Sequence, residues 1–322
     1  MVHRIAILGT RYPDFAIEEE VLGSMGVEIV SAAGGDADEI EAAAATATVI
    51  VAGSRPQFTS EVLQRLSGCR AIVRSGIGVD SVDLLAASDL GIMVVNVPDY
   101  GTEAVAQHTL ALALAGTRRL VEGDRIVKSG GWGFPSLRPL HLPDTMTAGV
   151  VGFGRIGRRV ADLLVSVGFG RVLACDAWID PEGPNVEASS LDELLSSADL
   201  VTLHAPGPAN GRPLLGHAEL ARMRQGSVLV NTARGSLIDS SELAVALAKG
   251  APRIAALDVY TPEPPDLDIL DPVRDRLVLT PHMAWYTEET QSDLRRKSAE
   301  EARRILTGET PLHLVALPKE DK

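Results

Sequence analysis

Three side chains with complementary proton and charge chemistry stand at equivalent places in this sequence. Arg234 in NTARGSLID, Glu263 in DVYTPEPPD and His282 in TPHMAWYTEE each follow a short apolar run that reads as a β-strand. Strand ends are where a doubly wound sheet places its working groups. An imidazole suits proton exchange with a hydroxyl because its unperturbed pKa is near neutrality. A carboxylate beside it fixes its tautomer and favours the imidazolium. An arginine can bind a 2-oxo acid through two parallel hydrogen bonds, which a lysine cannot reproduce. The three together fit hydride transfer at a hydroxyl-bearing carbon. Singly they read as a surface arginine, an exposed loop acid and a turn histidine, so the reading rests on their common position at three strand ends.

Hydride transfer needs a carrier, and GVVGFGRIGRRV supplies a place for one. Gly152, Gly154 and Gly157 have the G-x-G-x-x-G spacing, after the apolar residues 147–151 and before a helix-like run, residues 158–167. The first glycine permits a tight turn, the second a close backbone approach to a pyrophosphate, and the third close packing of helix on strand. The phosphates then meet free N–H groups at a helix start. A second apolar run, residues 171–175, ends at Asp176, nineteen residues past Gly157. A carboxylate there accepts hydrogen bonds from a ribose 2′-hydroxyl and repels a 2′-phosphate, so NAD is favoured over NADP.

The elements that must position these groups alternate between strand and helix. Strands are expected at residues 4–9, 27–30, 48–53, 71–74 and 91–97, with helices at 16–25, 38–45 and from Thr59 to Leu66, where Thr59 or Ser60 is the N-cap. The strand at 71–74 runs into SGIGVD, whose glycines can turn N–H groups toward an anion. One long helix is expected over 101–120 and a connecting arm over 125–143. Further strands at 199–204, 227–231, 253–259 and 277–279 complete a six-strand count from 149 to about 282, and an amphipathic helix over 287–306 returns to the first domain. The predicted class is α/β, with two doubly wound, parallel-sheet, Rossmann-like domains. Residues 1–98 plus 287–322 form a flavodoxin-like substrate domain, and residues 99–286 a dinucleotide-binding domain.

Composition narrows the partners. The 322 residues are 45% hydrophobic and carry a net charge of -13, which argues against nucleic acid or an anionic membrane as a partner. Local arginines must then catch an anionic substrate. Cys69 and Cys175 lie in or beside apolar runs and read as buried free thiols. The apolar runs at the N-terminus and at 42–53 are too short for a signal peptide or a membrane span, so a cytoplasmic protein is expected. His3, His108, His141, His217 and His313 have no spacing that makes a metal site, and no metal is expected. His108 and Tyr12 remain candidates for facing the cleft.

The strings RSGIGVDSVDL, VPDYGTEAVAQHTLALAL, VGFGRIGRRVA, NTARGSLID, LDVYTPEP and TPHMAWYTEE, in this order along the chain, resemble the D-isomer-specific 2-hydroxyacid dehydrogenases. HMAWY and the loop RYPDF look most like the carboxy-terminal-binding-protein-like branch. The resemblance implies Arg234, Glu263 and His282 as the catalytic trio. It implies backbone at Gly76, Ile77 and Gly78 holding the substrate carboxylate, with Arg74 and Trp285 on the substrate side. For the cofactor, NAD, it implies Arg155 and Ile156 on the pyrophosphate, Asp176 on the ribose, and Thr109, His204, Ala233 and Asp258 around the nicotinamide half. It also implies a homodimer joined through the long helix and the arm. Ala177-Trp178 and the loop 206–212 depart from the family pattern and leave the adenine contacts open, and Gln107 stands where an acid is common.

The expected activity is the NAD-dependent interconversion of a small D-2-hydroxy acid and its 2-oxo acid. Two alternatives stay open. One is an NAD-sensing, corepressor-like scaffold that binds peptides. The other is the same scaffold acting on a phosphonate or phosphite substrate, for which Arg11, Arg55 and Arg74 are available. Formate oxidation is disfavoured, because that branch pairs its histidine with an amide and not with an acid such as Glu263. A long, regulated phosphoglycerate dehydrogenase is disfavoured too, since nothing resembling its appended domain follows Leu317.

Overall fold

The computed structural model describes residues 3–10, 12–208 and 210–316. They fall into two compact units, one within Met1–Gly101 and Thr287–Lys322, the other Thr102–Tyr286.

The first unit begins with β1 (Arg4–Leu8), α1 (Ala16–Leu22), β2 (Glu28–Ala32), α2 (Ala37–Ala44), β3 (Val49–Ala52), α3 (Ser60–Arg65), β4 (Ala71–Arg74), α4 (Leu84–Asp89) and β5 (Met93–Asn96). Thr59 is the N-cap of α3, its hydroxyl accepting from the Val62 N–H. The second unit holds α5 (Thr102–Thr117), α6 (Leu120–Lys128), β6 (Thr147–Val151), α7 (Arg155–Ser166), β7 (Arg171–Cys175), β8 (Val186–Ala188), α8 (Leu191–Ser197), β9 (Leu200–Leu203), α9 (His217–Arg222), β10 (Val228–Asn231), α10 (Ser240–Lys249), β11 (Ile254–Leu257) and β12 (Leu277–Leu279). The chain then re-enters the first unit as α11 (Glu288–Thr307) and β13 (Leu314–Ala316).

In the first unit the sheet order is β13-β5-β4-β3-β1-β2, parallel except for β13, which pairs antiparallel with β5. Read from β2 to β5, this is the 2-1-3-4-5 order of a flavodoxin-like sheet, whose direction reverses between β1 and β3. Helix α11 packs on α1 and across β3 and β4, where Ala302, Ile305 and Leu306 join Ile5, Val49, Val51 and Val73 in one core. In the second unit the order is β12-β11-β10-β9-β6-β7-β8, all parallel, with the reversal between β6 and β9. Its central strands are buried on both faces, which is why they read as unbroken apolar runs rather than alternating ones.

The structure corrects the sequence expectation in several places. The long helix expected over 101–120 stops at Thr117, Arg119 turns left-handed at φ 52°, and α6 follows from Leu120. No breaker residue marks this turn; it accompanies burial of Arg119, whose Nη1 donates to the Arg138 carbonyl. The expected arm therefore starts as helix, since α6 runs to Lys128. Among the described residues the second sheet has seven strands, not six, because the short edge strand β8 pairs with β7. With only VEA to show, it carries no apolar run to announce it. Helices α4 and α8 and strand β13 were likewise unannounced. The units divide between Gly101 and Thr102.

Candidate active site

Three loops at the carboxyl ends of β10, β11 and β12 carry Arg234, Glu263 and His282. After β10, the buried Asn231 braces the first loop. Its Nδ2 donates to the Arg234 carbonyl at 2.8 Å, and its Oδ1 accepts from the Ala233 N–H at 3.0 Å. Arg234 Nη1 donates to the Ala233 carbonyl at 2.7 Å. A Cβ on Gly235 would run into the backbone of Tyr260, so glycine there lets the β10 and β11 loops lie against each other.

After β11, Asp258 is fully buried and its carboxylate organises the third loop. It accepts from the Met283 and Ala284 N–H groups, both at 2.9 Å, and from the Thr280 hydroxyl at 2.5 Å. His108 Nε2 lies 3.1 Å from the same hydroxyl. The His282 N–H donates to the Asp258 carbonyl at 2.8 Å while its backbone sits at φ 52°, an unfavourable region for a side chain of this size. Tyr260, its pKa pushed up to about 12 by burial and by the nearby Asp258 and Glu263 charges, keeps its proton and donates to the carbonyls of Leu257 and Thr280.

The outcome is a direct pair: His282 Nδ1 lies 2.7 Å from Glu263 Oε2, and the other carboxylate oxygen accepts from the Tyr260 N–H at 3.0 Å. Burial alone would raise the pKa of Glu263, but the bonds from His282 and Tyr260 and the charge of Arg234 together hold it below the ordinary carboxylate value. An ionised glutamate accepts, so Nδ1 carries the hydrogen and Nε2 is left for proton exchange.

The glycine turn lies at the point where the second sheet reverses. Gly152 is left-handed at φ 91°, and a Cβ on it would come within 2.6 to 2.7 Å of the His204 and Ala205 backbone. A Cβ on Gly157 would collide with the Gly152 carbonyl. These two glycines are required by the chain itself. Gly154, the N-cap of α7, is different: a Cβ there would meet nothing within 4 Å. Its neighbours Arg155 and Ile156 form the first turn of that helix, whose N–H groups have no partner within the helix. Asp176 Oδ2 accepts from the Phe153 N–H at 2.6 Å, and Oδ1 from those of Trp178 and Ile179 at 2.8 and 3.1 Å. Burial pushes its pKa up, but these three bonds and Arg158 outweigh it and keep the carboxyl below its ordinary value. His204 Nε2 is buried with no hydrogen-bond partner among the described residues, and burial depresses its pKa to about 3. A helix start open in front of Gly154, an ionised acid at the next strand end and an orphaned imidazole nitrogen are what a dinucleotide would use.

Two residues implied as cofactor contacts are fully buried and bonded within the chain. Thr109 is fully buried, its hydroxyl donating to the Val105 carbonyl and lying 2.7 Å from the Thr232 hydroxyl. Asp258 is occupied as described above. Both bond to the loops beside them, and Ala233, half-buried, lies in the loop after β10.

Arg74, Gly76, Ile77 and Gly78 belong to the first unit, directly after β4. The Gly76 carbonyl accepts from the Val97 N–H at 3.0 Å, and the Ile77 carbonyl from Asn96 Nδ2 at 2.7 Å. Because a trans peptide points its N–H opposite its C=O, the Ile77 and Gly78 N–H groups turn away from β5. Gly76, at φ 149°, lies under the Arg74 guanidinium, which a Cβ would meet at 2.6 to 3.3 Å. Trp285 belongs to the second unit, half-buried and edge-on to Tyr286 with ring centroids 5.7 Å apart. Arg11 lies outside the described residues.

Sequence reasoning missed Asn231, Tyr260 and Thr280 as supports and assigned Asp258 another task. The polar residue that closes each apolar strand, in VLVN and in IAALD, was the available signal. Among the described residues, no helix is long and apolar enough to cross a membrane, and no group of three or more His, Cys, Asp or Glu side chains is placed to hold a metal ion. Cys69 and Cys175 are buried free thiols.

Residues 110–284 match the D-isomer specific 2-hydroxyacid dehydrogenase family, NAD binding domain. The chain is 34% identical over 308 residues to a D-3-phosphoglycerate dehydrogenase of Archaeoglobus fulgidus, covering 94% of this chain but only 58% of that protein. Among solved structures it resembles an NAD-dependent formate dehydrogenase from Staphylococcus aureus in complex with NAD (TM-score 0.88, 28% identity, 98% of this chain and 100% of that one). It is also similar to a D-lactate dehydrogenase from Aquifex aeolicus complexed with NAD and lactic acid (TM-score 0.86, 25% identity, 98% and 100% covered). With the glycine turn, the paired histidine and the two doubly wound sheets already in view, these matches establish that the chain belongs to the D-isomer-specific 2-hydroxyacid dehydrogenase family, whose NAD-binding domain it contains.

Proposed function

We propose that this protein is an NAD-dependent oxidoreductase that interconverts a small D-2-hydroxy acid and its 2-oxo acid. The observation that carries the reading is the 2.7 Å contact between His282 and Glu263 at neighbouring strand ends, with Arg234 close enough to act on the glutamate. NAD, when bound, supplies or accepts the hydride. His282 Nε2 gives the proton to the oxygen of the 2-oxo acid on reduction and takes it back on oxidation. Glu263 holds the Nδ1 hydrogen and stabilises the imidazolium. Arg234 binds the carboxylate and draws electron density toward the oxygen that gains charge. Arg74 and the N–H groups of residues 76–78 receive the acid end of the substrate, and Trp285 limits its side chain.

Gly152, Gly154, Gly157, Arg155, Ile156 and Asp176 would hold the dinucleotide, with His204 and Ala233 toward its nicotinamide end. The resemblance carried by HMAWY supports the carboxy-terminal-binding-protein-like branch, and a second copy of the chain is the expected partner. The hydrogen-bonded His282 and Glu263, set up for proton exchange, favour the enzyme over the peptide-binding scaffold. The test is a screen of 2-oxo acids for NADH consumption, including glyoxylate, hydroxypyruvate, 3-phosphohydroxypyruvate and 4-methylthio-2-oxobutyrate. His282→Ala should lose roughly 10² to 10⁴ in turnover while NADH still binds. Ordinary activity in that variant would refute the assignment.

A further inference from the structure

Beneath the turn that follows β4 lies a polar network that the proposed reaction does not use. Arg295 of α11 is 6% exposed and Glu18 of α1 3%. Arg295 Nε and Nη2 donate to Glu18 Oε1 and Oε2 at 2.9 and 2.6 Å, and Nη2 also donates to the Asp14 carbonyl at 2.8 Å. The guanidinium carbon lies 4.5 Å from the centroid of the Tyr12 ring. Tyr12 Oη is 3.3 Å from Ser75 Oγ, and Ser298 Oγ, one turn beyond Arg295 on the same face of α11, donates to that same oxygen at 3.2 Å. Ser75 sits between Arg74 and Gly76, and its carbonyl accepts from Arg74 Nη1.

A buried ion pair is a poor way to gain stability, because desolvating both charges offsets most of their attraction and apolar side chains of similar volume do as well. What apolar side chains lack is orientation. The two-pronged bond to Glu18 sets the plane of the Arg295 guanidinium, that plane seats the Tyr12 ring, and the ring delivers its hydroxyl to Ser75. Burial, together with the negative charge of Glu18, raises the pKa of Tyr12, so its hydroxyl keeps the proton it can donate. Ser298 approaches the same oxygen from α11. Ser75 is thus held from two sides, by chain segments more than 280 residues apart.

We propose that Tyr12 and Ser298 are positioning residues for the Ser75 turn, with Arg295 and Glu18 fixing Tyr12, so that the Arg74 guanidinium and the N–H groups of residues 76–78 meet the acid end of the substrate in one geometry. This rests on the reading above that this turn binds substrate.

Tyr12→Phe removes one oxygen and leaves the ring over Arg295; Ser298→Ala removes the other donor without changing the shape of the core. Each is assayed with the best 2-oxo acid of the screen, alongside an NADH fluorescence titration. KM for the oxo acid should rise about 3- to 10-fold in each variant, the effect of one lost hydrogen bond, while kcat and NADH affinity stay within about twofold. The double variant should show less than the product of the two effects, because both donors share Ser75. An unchanged KM in both variants, or equal losses in kcat, KM and NADH affinity, would overturn the proposal and leave the network a packing feature. A wild-type chain that consumes NADH with no 2-oxo acid would bring down the functional reading and this inference together, whereas an active wild type with indifferent variants would bring down the inference alone.

Discussion

Glu263 Oε2 sits 2.7 Å from His282 Nδ1, on a histidine whose backbone is held left-handed at φ 52° by its bond to the Asp258 carbonyl. The strained backbone and the carboxylate act on the same ring, one aiming it and the other setting which nitrogen carries the hydrogen.

The glutamate half of this pair has a pH signature. Its folded pKa is lowered, so the stability it contributes is present above the ordinary carboxylate value and is lost as pH falls through the folded one. Thermal unfolding of Glu263→Gln and wild type should therefore differ at neutral pH and converge below about pH 4. In turnover the same variant should lose about 10- to 100-fold, the cost of replacing a charge-assisted hydrogen bond. Melting curves that stay parallel across that range would sink the linkage.

The glycines of the turn should separate folding from binding. Gly152→Ala places a side chain at a left-handed residue and against the His204 and Ala205 backbone, and should lose at least about 1 to 2 kcal/mol of stability. Gly154→Ala meets no atom of the chain and should fold as well as wild type while binding NADH less tightly. Calorimetric melting and NADH titration of the two variants check this contrast; equal melting losses would contradict it.

Under the proposed function, Asp176 sets the choice between NAD and NADP. Replacing it with alanine removes the acceptor for three backbone N–H groups and the charge that would repel a 2′-phosphate. NADH affinity should fall about tenfold, with the gap between NADH and NADPH narrowing. A variant that keeps the wild-type preference would show that selectivity lies elsewhere.

The segment from α6 to β6 exposes Leu120, Val127, Trp132, Phe134 and Leu142, with Trp132 91% exposed. Large apolar side chains in one exposed segment suit burial against a second copy. Sedimentation should find a dimer for the wild type and a shift toward monomer for Trp132→Ser combined with Phe134→Ser. A wild type that sediments as a monomer at micromolar concentration would refute the assignment.

Much of this molecule is written in local chemistry. Parallel strands buried on both faces must be apolar runs, glycine is demanded wherever backbone crosses backbone, and the groups at strand ends are the polar letters that follow. The two doubly wound sheets, the turn at residues 152–157 and the three residues Arg234, Glu263 and His282 were legible for that reason. The elements that escaped were those with weak local signals: the edge strands β8 and β13, the short helices α4 and α8, and the left-handed Arg119, which accompanies a bond to Arg138.

Tertiary structure alone decided which polar groups meet. Nothing in the spelling of the chain says that the Asp258 carboxylate accepts from the Thr280 hydroxyl and two N–H groups, that Thr109 is fully buried, or that Arg295 reaches Glu18 and Tyr12 across nearly the whole sequence. Hydrophobic periodicity is a property of neighbours along the chain. Hydrogen bonds and ion pairs between distant segments depend on register and crossing that only the assembled sheets and helices set.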